Sequence, residues 1–189
     1  MATKYLITDT LAMPECAVRI PRLGLGTWLS SRRQCVASCH AALKCGYRHI
    51  DTAQYYENEA EVGEAVRTSG LSRSDVFIAT KIFSAAGTWQ KSYQRCIGSV
   101  EKIDGEDGYV DLFLVHTASG TKEKRKEMWL ALEKLYEQGK AKAIGVSNFG
   151  IGHIEEMKDY AKVWPPHVNQ IEVSFWLDST GLFVAQRWG

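Results

Sequence analysis

Six short apolar runs alternate with longer helical patterns from Leu23 onward, and this order restricts the possible folds more than any other feature. The predicted strands are Leu23–Trp28, Arg48–Ala53, Val76–Phe83, Tyr109–His116, Ala141–Val146 and His167–Val173. The predicted helices between them are Ser31–Lys44, Asn58–Thr68, Trp89–Ile103, Glu123–Glu137 and Gly152–Lys162. Alternating strands and helices with short connections indicate a parallel sheet with right-handed crossovers. The predicted fold class is therefore α/β, as either a closed barrel or an open doubly wound sheet.

The glycines near the first predicted strand bear on this choice. A dinucleotide-binding open sheet carries the pattern Gly-x-Gly-x-x-Gly. The segment Gly24-Leu25-Gly26-Thr27-Trp28 lacks the third glycine, which disfavours the open sheet. No linker, low-complexity tract or internal repeat divides the sequence, so we expect one domain over residues 1–189.

The composition argues against several classes of partner. Apolar residues make up 45% of the chain, charged residues make up 24%, and the formal net charge is +1. This is the balance of an ordinary globular protein, and it gives no reason to expect nucleic acid or an anionic membrane as a partner. No apolar run approaches the roughly 20 residues of a membrane helix. The N-terminal segment also lacks a signal-peptide core.

The cysteines indicate a reducing compartment. There are five of them, an odd number, and no Cys-x-x-Cys pattern occurs, so we expect a cytoplasmic location. Cys35 and Cys39 lie one helical turn apart with Cys45 nearby, which raises the possibility of a metal or redox cluster. Buried free cysteine is a common packing residue. We therefore interpret Cys35 and Cys39 as part of a helix face and expect no metal.

The segment 46–66 carries the densest set of candidate functional side chains. A predicted strand ends near Asp51, the pair Tyr55-Tyr56 follows in the same loop, and a helix begins at Asn58. Side chains at the carboxyl ends of barrel strands point into one mouth, where α/β proteins place their chemistry.

In a barrel, a carboxylate, a phenol, an ammonium and an imidazole would converge there, namely Asp51, Tyr56, Lys81 and His116. This set suits carbonyl reduction, because hydride addition to a carbonyl carbon leaves an alkoxide that must be protonated. Free tyrosine, with a pKa of about 10, is a poor donor at neutral pH, and we expect Lys81 to lower the pKa of Tyr56. Asp51 would hold Lys81 charged, and His116 would orient the carbonyl.

Each of these residues also has a structural interpretation. Lys81 can form a salt bridge with Asp51 inside the barrel. His116 alone is more often a hydrogen-bonded core residue, and Tyr55 and Tyr56 alone can be packing aromatics. The functional hypothesis depends on finding the group together and in this order.

The run Gly-Tyr-Arg-His-Ile-Asp-Thr-Ala at 46–53, followed by Tyr56-Glu57-Asn58-Glu59, resembles the signature of the aldo-keto reductases. The segment 24–28 resembles the first barrel strand of that family. The resemblance implies a (β/α)8 barrel of the TIM type, with about six of the eight units present here. It also implies an NADP(H)-dependent oxidoreductase that reduces small-molecule aldehydes or ketones, with Tyr56 rather than Tyr55 as the proton donor.

The resemblance extends to the cofactor. The segments Val146-Ser147-Asn148-Phe149 and Val168-Asn169-Gln170-Ile171-Glu172 match those whose Ser, Asn and Gln bind the nicotinamide carboxamide in the family. Asn148 and Gln170 supply the donors and acceptors that an amide ligand needs. The same resemblance places four further residues beside the nicotinamide and the substrate: Gly26, Thr27, Trp28 and Asp51. An alternative interpretation of Ser147-Asn148 is a helix N-cap pair.

The sequence departs from the family pattern at its end. A complete barrel typically needs about 250 residues, and its phosphate site frequently follows strands seven and eight. Family-like sequence covers 4–173, whereas 174–189 looks atypical, so we expect a truncated barrel whose NADP preference rests on resemblance alone. The first and sixth strands would form unpaired edges that favour self-association. The alternative function is a catalytically silent or regulatory member that acts by binding, as potassium-channel β subunits resemble this family.

Overall fold

The computed structural model describes residues 6–172, which form two small sheets and five α-helices. The strands are Thr10–Ala12 (β1), Arg19–Pro21 (β2), Leu25–Gly26 (β3), His49–Asp51 (β4), Phe77–Ile82 (β5), Leu112–Val115 (β6), Ile144–Ser147 (β7) and Asn169–Gln170 (β8). The helices are Arg32–Lys44 (α1), Glu59–Thr68 (α2), Trp89–Asp104 (α3), Lys122–Glu137 (α4) and Ile151–Met157 (α5).

The six strands β3 to β8 form a parallel sheet in chain order, and each follows its neighbour through a crossover. This sheet is curled. In a flat sheet, β4 and β8 would lie four strand spacings apart, about 19 Å. Gln170 Nε2 at the end of β8 nevertheless lies 2.9 Å from Asp51 Oδ2 at the end of β4. The fold is therefore a partial (β/α)8 barrel, which confirms the predicted fold class.

The two faces of the sheet bury different apolar sets, as the two-residue repeat of a strand requires. The outward set packs under the helices and includes Ile78, Phe113 and Ile144, together with Trp129 of α4. The inward set is smaller: Phe77, Ala79, Leu112, Leu114 and Ala143. Apolar burial on both faces explains why the strands read as nearly continuous apolar runs.

A two-stranded antiparallel hairpin, β1 and β2, precedes the barrel and was not predicted. Met13, Val18 and Ile20 from this region pack against the inward apolar set. The hairpin therefore covers the amino-terminal end of the barrel, and its residues Leu11, Ile20 and Pro21 also line the cavity of the candidate site.

Five of the predicted helices and six of the predicted strands are present, and most differ only in their ends. The predicted first strand, 23–28, is reduced to β3, because the chain leaves the strand at Thr27. The Thr27 hydroxyl bonds to the Asp51 carbonyl oxygen and to Asn58 Oδ1. The last helix ends at Met157 rather than Lys162, since Lys158 to Tyr160 form turns. Residues 173–189, including Val173 and the atypical tail, lie outside the described residues.

Candidate active site

The carboxyl-terminal ends of β4, β5, β6, β7 and β8 deliver one polar residue each to a common region. Asp51, Ser147 and Gln170 are the last residues of their strands, Lys81 is the second-last of β5, and His116 follows β6. Strand register aligns Asp51 with Ala79, Lys81 with Leu114, and Ser147 with Gln170. The predicted convergence of these side chains is therefore present in the structure.

Asp51 and Lys81 form the centre of this region. Lys81 is 1% exposed, and its Nζ donates to Asp51 Oδ1 and to the Thr52 carbonyl oxygen at 3.0 Å. The second carboxylate oxygen of Asp51 accepts from Gln170 Nε2. A buried ammonium requires such partners, because an unpaired charge is strongly disfavoured in a protein interior. The Lys81–Asp51 salt bridge, which we gave as the structural interpretation, is therefore present. The convergence of polar side chains, which the functional hypothesis requires, is present as well.

Tyr56 lies beside this ion pair on a 3₁₀ turn, Gln54–Tyr56. The Tyr56 amide donates to the Ala53 carbonyl oxygen at 3.0 Å, and Glu57 adopts the left-handed conformation that ends the turn. Lys81 Nζ lies 5.1 Å from the centroid of the Tyr56 ring, within cation–π range. The turn therefore holds the phenol close to a positive charge.

Asn58, which sequence analysis treated only as a helix start, anchors the loops around this turn. Its side chain is buried, and Nδ2 donates to the Thr27 carbonyl oxygen at 2.9 Å. Its Oδ1 accepts from the hydroxyls of Thr52 and Thr27 at 2.8 and 3.2 Å. The Tyr-x-Asn-Glu motif contained this residue, but its partner Thr27 lies 31 positions away in sequence, so the motif alone did not reveal the role.

The electrostatic environment differs from the expected one in one respect. Burial, and secondarily the Asp51 carboxylate, raise the pKa of Tyr56 to about 12. The expectation of a net lowering of the Tyr56 pKa is therefore wrong. The physical reason is that burial disfavours the charged phenolate most strongly, and the Asp51 carboxylate disfavours it further. Tyr56 consequently stays protonated across the neutral range.

His116 lies against three aromatic rings. Its ring centroid is 5.6 Å from that of Tyr56, 5.8 Å from that of Phe83 and 6.4 Å from that of Tyr55, all edge-on. Burial, followed by the Lys81 charge, lowers the pKa of His116, so its imidazole is neutral at pH 7. Its Nδ1 is buried and has no hydrogen-bond partner among the described residues.

The polar residues after β7 form a second cluster. Ser147 Oγ donates to the Gln170 carbonyl oxygen at 3.0 Å, and Asn148 Nδ2 donates to Ser147 Oγ at 3.1 Å. Asn148 has a φ of 57°, a left-handed conformation that Asn tolerates better than most residues. The N-cap of α5 is Gly150, so the interpretation of Ser147-Asn148 as a helix N-cap pair is wrong.

The three residues predicted near the first strand divide between two environments. Gly26 and Trp28 line the cavity, and Trp28 is 61% exposed. Thr27 is buried, and its Oγ1 donates to the Asp51 carbonyl oxygen at 3.1 Å. Thr27 therefore supports the backbone of Asp51 from behind the cavity.

Most of these groups line one cavity of about 820 Å³, whereas Lys81, Thr27 and Asn58 are not part of its lining. Its lining includes Asp51, Tyr56, His116, Ser147, Asn148 and Gln170. Within residues 6–172, no cluster of three or more His, Cys, Asp or Glu side chains has the spacing to hold a metal ion. Over the same residues, no helix combines the length and the apolar character required to cross a membrane.

Comparison with known proteins gives a consistent result. The family model for the aldo/keto reductase family matches residues 22–188. A glyoxal reductase of Bacillus subtilis is 40% identical over 167 residues, covering 88% of this chain and 58% of the relative. An aldo/keto reductase structure from Brucella melitensis has a TM-score of 0.80 at 38% identity, covering 88% of this chain and 63% of that one.

A further solved structure, an aldo-keto reductase complexed with NADPH, has a TM-score of 0.74 at 32% identity. The match covers 88% of this chain and 55% of that one. The chain spans little more than half the length of the curated relatives it matches, since it covers 56%, 54% and 58% of three of them. The motif, the barrel and the matches agree: the chain belongs to the aldo/keto reductase family.

Proposed function

We propose that this chain carries the catalytic residues for NADPH-dependent reduction of small-molecule aldehydes or ketones to alcohols. One observation carries the proposal. The Lys81–Asp51 ion pair lies beside a protonated phenol, Tyr56, and a neutral imidazole, His116, and three of these residues, Asp51, Tyr56 and His116, line a single cavity. A salt bridge with a purely structural role would not require Tyr56 and His116 beside it.

The roles follow from the chemistry of each group. Bound NADPH supplies the hydride to the carbonyl carbon. Tyr56 donates its phenolic proton to the oxygen, which becomes an alkoxide as the hydride arrives, and alkoxides are stronger bases than phenolates. The raised pKa of Tyr56 keeps that proton available. Lys81 then stabilises the phenolate left behind, and Asp51 holds Lys81 in place.

His116 has a different role in this proposal. A neutral imidazole donates a hydrogen bond through one ring nitrogen, and a carbonyl oxygen is a suitable acceptor. Such a bond orients the carbonyl and fixes the position of its carbon relative to the hydride donor. Direct proton donation by His116 is less suited, because its lowered pKa leaves few imidazolium ions at pH 7.

The residues present fit a nicotinamide carboxamide. Ser147, Asn148 and Gln170 line one part of the cavity, and each has hydrogen-bonding atoms suited to an amide. NADP(H), rather than NAD(H), is supported by the NADPH complex of one structural relative. Five free cysteines suit the cytoplasm, and we propose that location.

The test is product analysis with deuterium-labelled NADPH. The purified chain is incubated with a small aldehyde and with NADPH that carries deuterium at the transferable position. The alcohol product should carry deuterium on its carbinol carbon. One alcohol should form per NADPH oxidised. An absence of aldehyde-dependent NADPH oxidation would sink the proposal.

A second candidate is nucleotide binding without turnover. It is supported by Ser147, Asn148 and Gln170, which line the cavity and suit an amide ligand independently of turnover. A fluorescence titration with NADPH separates the candidates. Saturable binding without alcohol formation favours the second candidate, and binding with alcohol formation favours the first.

A further inference from the structure

Thr52 follows Asp51 directly, is fully buried and is not among the described residues that line the cavity. Any part it plays in the reaction must therefore act through other residues. Its amide donates to the Ala79 carbonyl oxygen at 2.9 Å, which extends the pairing of β4 with β5 by one residue. Its carbonyl oxygen and its hydroxyl each bond to a different part of the candidate site.

The Thr52 carbonyl oxygen helps to hold the Lys81 ammonium. Lys81 Nζ donates to this oxygen at 3.0 Å and also to Asp51 Oδ1. Two acceptors in different directions restrict a flexible lysine more than one acceptor does, because a single bond leaves rotation about that bond. The main chain of Thr52 therefore helps to fix the positive charge, which lies 5.1 Å from the centroid of the Tyr56 ring.

The Thr52 hydroxyl closes the loop that carries Tyr56. Thr52 Oγ1 donates to Asn58 Oδ1 at 2.8 Å, so a buried bond between side chains joins the two ends of the segment 52–58. The 3₁₀ turn lies inside this segment, where the Tyr56 amide donates to the Ala53 carbonyl oxygen. Closing a loop removes conformational freedom from the residues within it.

Asn58 is a rigid anchor for this bond. It is 1% exposed, and its Nδ2 donates to the carbonyl oxygens of Thr27 and Ser30 at 2.9 and 3.3 Å. The amide group of Asn58 cannot turn its Nδ2 toward Thr52 without losing those bonds, so its Oδ1 faces Thr52. An oxygen can only accept a hydrogen bond, and residue 52 must therefore supply a donor.

Thr52 thus contacts both members of the proposed proton-donating pair, Lys81 through its carbonyl oxygen and the Tyr56 turn through its hydroxyl. We propose, building on the proposed reductase function, that Thr52 is a positioning residue that fixes the Tyr56 phenol relative to the Lys81 ammonium. A displacement of about 1 Å in a catalytic group can cost about 100-fold in rate. The carbonyl contact is available to any residue at this position, whereas the hydroxyl contact requires Thr or Ser.

The kinetic test compares Thr52→Val, which keeps the shape of the side chain without the hydroxyl, with Thr52→Ser, which keeps the hydroxyl. Thr52→Val should lower kcat for aldehyde reduction by about ten- to 100-fold at unchanged NADPH affinity. It should also raise the solvent deuterium isotope effect on kcat, because proton donation becomes slower. Thr52→Ser should retain both values.

Thr80→Val is the matched control, since Thr80 is equally buried but its hydroxyl donates to Glu59 of α2. It should leave kcat and the isotope effect unchanged. A Thr52→Val protein that keeps the kcat of the unaltered chain overturns the proposal. A loss of kcat that Thr80→Val matches, with an unchanged isotope effect, also overturns it, because both variants would then act through stability alone.

A second measurement needs neither cofactor nor turnover. The protection of the Tyr56 amide against hydrogen exchange is measured by NMR, because a short turn opens locally before the whole molecule unfolds. Thr52→Val should lower this protection by about two- to ten-fold, the effect of one hydrogen bond, whereas Thr52→Ser and Thr80→Val should retain it. If this selective loss occurs but the unaltered chain reduces no aldehyde, Thr52 still positions Tyr56 and only the reductase proposal fails. Equal protection in the unaltered chain and in Thr52→Val, or an equal loss in Thr80→Val, overturns the positioning role.

Discussion

Asp51 and Lys81 form an ion pair inside the barrel, and the proposed reaction uses the same pair. The Lys81 side chain is 1% exposed and that of Asp51 is 16% exposed, and each supplies the hydrogen-bonded counter-charge of the other. Removing one partner of a buried ion pair leaves an uncompensated charge, which typically costs about 3–5 kcal/mol. Removing both does not leave such a charge.

This argument predicts strong coupling between substitutions at the two positions. Asp51→Asn and Lys81→Met should each lower the free energy of unfolding by about 3–5 kcal/mol. The double variant should be less destabilised than the sum of the two, as urea denaturation of all four proteins would measure. Additive losses would show that the pair is not the buried unit that the structure indicates.

His116 permits a pH prediction at the same scale. Its pKa is lowered by burial and by the Lys81 ammonium, and is partly restored by Asp51. An NMR titration should therefore give a midpoint below about 6.5, the value of free histidine. Lys81→Met should raise that midpoint, because protonation of His116 no longer opposes a neighbouring positive charge. A midpoint that is unmoved or falls would contradict the proximity of the two groups.

At the scale of elements, the approach of α2 and α3 depends on one glycine. A Cβ atom on Gly63 would lie 2.3 Å from the Ile103 carbonyl oxygen and 2.7 Å from the Lys102 carbonyl oxygen. These are backbone atoms, which cannot move aside as a flexible side chain does. Gly63 therefore sets the distance between the two helices that flank the Tyr56 turn.

We expect Gly63→Ala to lower the free energy of unfolding by about 1–3 kcal/mol, the usual cost of overpacking. Gly98 on α3 is the matched control, since a Cβ there meets nothing within 4 Å. Gly98→Ala should stabilise the protein by about 0.5–1 kcal/mol through helix propensity. Both values come from thermal or urea unfolding, and equal effects of the two substitutions would refute the close contact.

The elements also show what sequence reasoning can and cannot predict. Buried parallel strands such as β5 and amphipathic helices such as α3 carry strong local patterns, and both were predicted within a few residues. The hairpin of β1 and β2 was missed because two three-residue strands carry almost no periodic signal. The contact of Asn58 with Thr27 joins residues 31 positions apart, and the Tyr56 pKa depends chiefly on burial, so no local pattern reveals either.

At the scale of the whole molecule, the described sheet has two edges. Strands β3 and β8 each pair on one side only within residues 6–172. Ile171, next to β8, is 39% exposed. Unpaired strand edges with apolar neighbours favour association with another chain.

We therefore predict concentration-dependent self-association, measured by sedimentation velocity. Ile171→Lys should weaken it, because a charged side chain at an edge disfavours strand pairing. Ile151→Lys is the control, since Ile151 is 49% exposed on α5 rather than at a sheet edge. Equal weakening by both substitutions would argue against an edge-mediated contact.

The central claim is that Tyr56 protonates the substrate oxygen in a reductase site. The most direct measurement is the rate of aldehyde-dependent NADPH oxidation by Tyr56→Phe and by a control, Tyr47→Phe, whose residue does not line the cavity. We expect Tyr56→Phe to lower kcat by about 10²- to 10⁴-fold with unchanged NADPH affinity, and Tyr47→Phe to retain the rate. A Tyr56→Phe protein that keeps the rate of the unaltered chain would contradict the account.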